Sequence, residues 1–391
     1  MKIISRTIWV LSLVSFFTDM ASEMLYPIMP LFLKQAGYTA LFIGILEAVA
    51  EATAGFSKTY FGKLSDRSGK RLPFVQLGYA LSAISKPMLA LLVHPLWILL
   101  SRTTDRLGKG IRTGARDALL RDESTAATRS RVFGFHRSID TLGAVAGPAI
   151  ALLYLYFNPG AYKTLFLLAF LPGLAAIFLT LLVKPKTILP VTREPARFFA
   201  FFSYWRNCPV SYKKLLIGLI LFALVNSSDV FLLLRMKEVG IADPMIITLY
   251  ILYNLVYALC AYPLGKFADK FGPKKILVAG LLLFSIVYGG FSFAQELWQF
   301  AVLLMLYGLY AAATEGIAKA WISNITPPHQ AATALGTYSG FQSIAALFAS
   351  SVAGLTWVYF GAPFTFLTAA FVTIVAAVYL FFTPIALQEP H

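Results

Sequence analysis

The stretch Gly62-Lys63-Leu64-Ser65-Asp66-Arg67-Ser68-Gly69 returns as Gly265-Lys266-Phe267-Ala268-Asp269-Lys270-Phe271-Gly272, displaced by 203 residues in a chain of 391. Gly37 and Gly240 keep that displacement, and Val132-Phe133-Gly134 answers Ala334-Leu335-Gly336 at 202. A repeat at half the chain length implies two halves of like topology, related by an axis along the membrane normal, with a pathway between them.

The residues around these loops are apolar. The chain is 58% hydrophobic and 13% charged, with a mean hydropathy of +0.72, whereas soluble domains carry about 25% charged residues. A water-soluble globule is excluded. One span needs about 20 apolar residues, so 391 residues accommodate roughly twelve spans with short loops. Apolar runs place them at 8–32, 40–60, 73–93, 96–117, 132–157, 163–183, 214–234, 245–265, 276–294, 297–322, 332–358 and 361–383. The expectation is an all-α membrane protein of 12 transmembrane helices in two pseudo-symmetric six-helix bundles, residues 1–183 and 214–391.

The net charge of +15 is distributed in a way that excludes nucleic acid as a partner and sets the topology. Lys63, Arg67, Lys70 and Arg71 share one loop, Arg121, Arg129 and Arg131 the next, and Lys266, Lys270, Lys274 and Lys275 another. The opposite loops hold few cations, among them Lys34, Lys163, Arg235 and Lys237, so both termini are expected in the cytoplasm of an inner-membrane protein. Between the halves, 184–213 mixes basic residues with Phe198, Phe199, Phe201, Tyr204 and Trp205. It reads as an amphipathic segment on anionic membrane lipid, or as a disordered basic linker. The first span carries Asp19 and Glu23 and no cleavage site, so it reads as retained. Cys208 and Cys260 allow no disulfide framework, and no metal-ligand spacing or cofactor motif appears. His94, His136, His329 and His391 are scattered, and no Gly-x-x-x-x-Gly-Lys-Ser/Thr loop exists, so neither an enzyme nor an ATP-driven pump is expected.

The two repeated loops resemble the signature loop of the major facilitator superfamily, Gly-x-Leu-x-Asp-Arg-x-Gly-Arg-Lys, well formed in the first half and degraded in the second. Gly62 and Gly69 permit a tight turn there, and Asp66 can cap a neighbouring helix N-terminus or pair with a cation. The resemblance implies that Asp66 and Arg67 latch the halves on the cytoplasmic side, with Asp117 or Asp122 as the partner of Arg67, and that Asp269 repeats the position. Gly143-Ala144-Val145-Ala146-Gly147-Pro148 resembles the Gly-x-x-x-Gly-Pro motif of the proton-coupled exporters of that superfamily, with Ala151 and Leu152 where a further Gly pair is usual. Gly143 and Gly147 share a helix face for close packing, and Pro148 loosens the turn before it.

Ionisable residues at span depth are expensive and mark functional positions. Asp19 and Glu23 lie four apart on one face of span one, and Glu47 and Glu51 repeat the spacing in span two. Asp19, Glu23, Glu51 and His136 are the expected proton-coupling groups, against the alternative of carboxylates held by cations of spans four and five. In span four Arg102, Asp105, Arg106, Lys109, Arg112 and Arg116 follow steps of three or four, a stripe no lipid-facing helix carries. The Arg that the family keeps in this span corresponds to Arg106 or, in another register, Arg102. With Lys86, Arg137 and Asp140, the stripe either clamps an anionic substrate group or is neutralised by the nearby acids. Asn226, Asp229, Asn254, Glu315, Lys319 and Gln342 are the polar groups of the second half, with Glu315 and Lys319 spaced to pair. Tyr250, Tyr253, Tyr257, Tyr307, Tyr310, Tyr338 and Trp321 supply an amphipathic pocket wall. The expected activity is secondary active transport by a monomer: proton-coupled efflux of a small amphiphilic, acidic organic solute or drug, with organic-anion uptake or exchange, or lipid or lysolipid flipping, as alternatives on the same scaffold.

Overall fold

In the computed structural model the first helix, α1 (Arg6–Glu23), starts on Ser5, whose Oγ accepts the Ile8 amide and so caps the apolar run that follows. The structure describes residues 4–26, 28, 29, 32, 33, 36–38, 40–184 and 200–384, and contains no strand among them. The helices are α2 (Ala40–Ser68), α3 (Leu72–Leu91), α4 (Pro95–Asp122), α5 (Arg129–Phe157), α6 (Tyr162–Leu168) and α7 (Phe170–Thr180), then the short α8 (Ala200–Asn207). They continue as α9 (Val210–Ala223), α10 (Val230–Glu238), α11 (Asp243–Phe271), α12 (Pro273–Phe293), α13 (Leu297–Asn324) and α14 (Ala331–Phe382). Proline at the first or second position starts α3, α4, α11 and α12, where its missing N–H costs nothing.

Seven described helical segments are long and apolar enough to cross a membrane, and the charged stripe keeps α4 out of that group. Residue Gly361, at φ 83°, divides α14 into the two spans expected at 332–358 and 361–383. Two expectations need correction. Span two runs past residue 60 as a continuous helix to Ser68, so Gly62 sits inside α2 and only Gly69, at φ 65°, makes the turn. Span seven is broken: α9 stops at Ala223 and α10 resumes at Val230.

Two compact units result, and each recruits a piece of chain from beyond its own half. The first comprises Met1–Thr125, Ile139–Asn207 and Pro327–Gly340. In it α3 packs on α4, α2 on α4 and α1 on α7, around a core that includes Phe32, Leu89, Ile98, Leu165 and Phe166. The second comprises Ala126–Ser138, Cys208–Thr326 and Phe341–His391. There α11 and α12 pack on α13, and Phe284, Tyr288, Phe291, Phe300 and Phe366 form a network of stacked, tilted and edge-on ring pairs.

Candidate functional site

The repeated loop carries the same device in each unit. In the first, Asp66 Oδ2 accepts the Thr333 amide and hydroxyl at 2.7 Å each, and Oδ1 accepts the Ala332 amide at 3.2 Å. These are free N–H groups of the first turn of α14, so the carboxylate meets both unpaired donors and the positive end of a helix. In the second, Asp269 accepts the Ser130 amide at 2.9 Å and the Arg131 amide at 3.0 Å, in the first turn of α5. The capped residues stand 202 apart, the displacement already present between Val132 and Ala334. Close approach is built in at Gly62, where an added Cβ would lie 2.5 Å from the Ala332 carbonyl oxygen.

Arg67 does not hold these acids; it is exposed on the last turn of α2. Arg71 takes the place expected for it, 3.5 Å from Asp66 and 3.1 Å from Asp122, and donates to the Pro328 carbonyl at 3.1 Å. Asp117 pairs instead with its neighbour Arg116 at 2.9 Å. Burial raises the Asp66 carboxyl, which lies beyond the span 40–60, from its ordinary value to about 6, with Arg71 and the Thr333 and Ala332 bonds pulling the other way. On α5, Gly143 and Gly147 press onto α1 as their spacing predicts, and a Cβ at Gly147 would lie 2.5 Å from the Met20 carbonyl oxygen. Pro148 is accommodated inside α5.

Most of the stripe on α4 is buried within the first unit. Lys86 on α3 meets Asp105 at 2.8 Å and reaches Ser22 Oγ at 3.1 Å, tying α3, α4 and α1 together. Arg112 donates to Ser82 Oγ at 2.5 Å and lies over the Tyr79 ring at 4.6 Å. Arg116 reaches Ser15 Oγ, which exchanges a hydrogen bond with the Tyr79 hydroxyl. Arg102 is buried, Arg106 is half-buried and Lys109 is exposed. Glu23, itself half-buried, lies in the field of Lys109, Arg106, Asp140 and Lys86. Asp19 is half-buried on the same helix, and Asp140 is buried on α5. Glu47 and Glu51 fall on α2 outside the side chains described, and most of the basic segment, 185–199, lies outside the described residues.

His136 and Arg137 belong to the second unit, not the first. His136 is buried; Arg137 lies over the Tyr257 ring, donates to its hydroxyl and pairs with Glu315 at 2.6 Å. The expected pairing of Glu315 with Lys319 gives way to this one, with the two side chains 30% and 40% exposed on otherwise well-buried helices. Tyr253 stacks on Tyr257 and lies tilted against Tyr307, while Tyr338 falls in the first unit, so the expected tyrosine wall is divided. Asp229 accepts from the Tyr307 hydroxyl at 2.7 Å. Sequence reasoning missed Arg71 and Tyr307 as the groups that hold these acids, since neither spacing nor composition marks one cation or tyrosine among many.

The sequence profile described as Major Facilitator Superfamily matches residues 11–236 and 215–390. An uncharacterized MFS-type transporter of Methanocaldococcus jannaschii is 32% identical over 97% of this chain and 95% of its own. Multidrug resistance protein MdtG of Dickeya zeae is 28% identical over 78% of this chain and 76% of its own. Among solved structures, the human organic anion transporter MFSD10 (TETRAN) superposes with a TM-score of 0.81 at 18% identity, covering 96% of this chain and 99% of that one. The E. coli fucose:proton symporter FucP gives 0.75 at 14% identity, covering 97% and 99%.

Proposed function

This chain belongs to the major facilitator superfamily, and from that membership we propose that it is a proton-coupled exporter of a small amphiphilic organic solute bearing an acidic group. Transport by the family is the premise; direction, coupling and substrate are the proposal. The observation that carries it is the uneven neutralisation of α4. Asp105 is held by Lys86 and Asp117 by Arg116, while Glu23 lies in the field of Lys109 and of Arg106, which Asp105 shares. A carboxyl beside two cations is a place where a proton and an acidic substrate compete for the same field, as antiport requires. Asp19 shares the face of Glu23 and belongs to the same path.

Efflux is supported by the relatives named multidrug resistance protein, and an acidic substrate by the fold shared with a human organic anion transporter. The two sequence halves would alternate access to a midplane site, in an inner-membrane monomer with both termini cytoplasmic. The half-exposed Arg137–Glu315 pair and Tyr253, all in the second compact unit, are the groups we assign to the solute there. Proteoliposomes with an imposed pH gradient test the reading. Solute accumulation opposed to proton movement supports exchange, and counterflow indifferent to the gradient refutes it.

A further inference from the structure

The interruption between α9 and α10 contains neither glycine nor proline: it reads Leu224-Val225-Asn226-Ser227-Ser228-Asp229. It begins about 21 Å along the span at 1.5 Å per residue from Val210, where backbone left outside a helix is tolerated only against protein or a wet cavity. The amides of residues 224–228 are accommodated. Val225 and Asn226 donate to the Phe222 carbonyl, Ser227 to that of Val225, and Ser228 to Ser350 Oγ at 3.1 Å. The acceptors are not: among the described residues no donor reaches the carbonyls of Leu224, Asn226 or Ser227. Asn226 Oδ1 is buried with no hydrogen-bond partner.

Asp229 closes the segment. Tyr307 donates to its Oδ1 at 2.7 Å and Tyr253 also hydrogen-bonds it, and among the described residues no cation lies within ion-pairing distance. The charged group that acts on it is Glu315, of like sign. Tyr253 and Tyr307, with centroids 5.0 Å apart, and Tyr288 and Tyr310 beyond them, pack against this end.

We propose that the break in span seven is a binding site for a monovalent metal cation of sodium size, liganded by the Asp229 carboxylate, Asn226 Oδ1 and the uncommitted carbonyls of Leu224, Asn226 and Ser227. All these donors are hard oxygens, the ligand class of group I and II cations. A single carboxylate balances one positive charge, whereas a divalent ion would leave a net charge at depth without a counter-ion. The C-terminal end of α9 presents its negative dipole end to the break, and the Asp229 carboxylate offsets the positive end of α10 on the other side. Protonation of Asp229 would answer the carboxylate alone and leave Asn226 Oδ1 and the carbonyls as they are. The site is separate from the proton exchange proposed above, and its test requires no transported solute.

The purified full-length protein in detergent is titrated with NaCl against choline chloride at constant total salt, reading the unfolding midpoint. The expected result is a saturable rise with sodium that choline does not reproduce. Asn226→Ala should move the half-saturating concentration up by about tenfold or more, the usual effect of losing one group around a metal, and Gly289→Ala, at a position that faces open space, should leave it unchanged. Asn226→Asp, which adds a second carboxylate, should create a response to CaCl₂ that the parent lacks, so the assignment does not depend on a variant that only loses stability. Equal responses to sodium and choline, or an unaltered sodium midpoint in Asn226→Ala, would overturn it, the former leaving a proton as the occupant.

Discussion

Arg71 holds two carboxylates with one guanidinium, 3.5 Å from Asp66 and 3.1 Å from Asp122, with all three side chains largely out of solvent. Removing it takes the shared guanidinium from both acids, leaving Asp66 its bonds to Ala332 and Thr333 and Asp122 the more distant Arg121. Arg71→Ala should therefore lower unfolding stability by about 3 kcal/mol or more, measured by thermal or denaturant unfolding in detergent, and Arg71→Lys should recover only part of it because an ammonium lacks the planar fork. Arg67→Ala should be near neutral, since that side chain is exposed. The raised carboxyl of Asp66 gives a pH dependence with a defined sign. The docked segment, where the group titrates near 6, binds a proton more readily than the undocked one, where it titrates near 3.8. Docking is therefore favoured below 3.8 and loses that advantage as pH rises through 6. Between about pH 7 and pH 5 the gain is about 1 kcal/mol. Amide exchange of residues 331–336, corrected for its intrinsic pH dependence, should slow over this interval and lose the trend in Asp66→Ala.

Helix contacts were the most legible elements. The Gly143–Gly147 face predicted a close neighbour, and α1 is that neighbour. Gly147→Ala should destabilise by about 1–3 kcal/mol through overpacking against the Met20 carbonyl, read as a lower unfolding midpoint, while a change at Gly289, which faces open space, should not. The interruption of span seven was not legible, because hydropathy continues across 224–229 and no proline or glycine announces it; only the polar run Asn226–Asp229 hints at a backbone that seeks other partners. The end of α2 was misjudged for a related reason. Gly62 has the composition of a turn residue, and its use as a contact surface for Ala332 depends on a segment 270 residues away in sequence.

At the scale of the whole chain, the internal repeat foretold more than any single motif. One displacement of about 200 residues locates both capping acids and both capped helix starts. Charge placement was legible as a stripe, yet the partition of that stripe into buried pairs and accessible cations was not. Spacing along one helix does not record which groups of α1 and α3 face it, and Lys86, Ser22 and Tyr79 make that division. Glu23→Gln and Asp19→Asn should each reduce gradient-driven transport severalfold in proteoliposomes while leaving the unfolding free energy within about 0.5 kcal/mol of the parent, as expected of half-buried positions. The interleaved composition of the two compact units has a consequence for genetic dissection. A gene cut in the 184–213 region yields two fragments, each deprived of a strip that its own tightest-knit body requires. Either fragment alone should be cleared by cellular proteases, and simultaneous production of both should restore a full complement of material in the membrane.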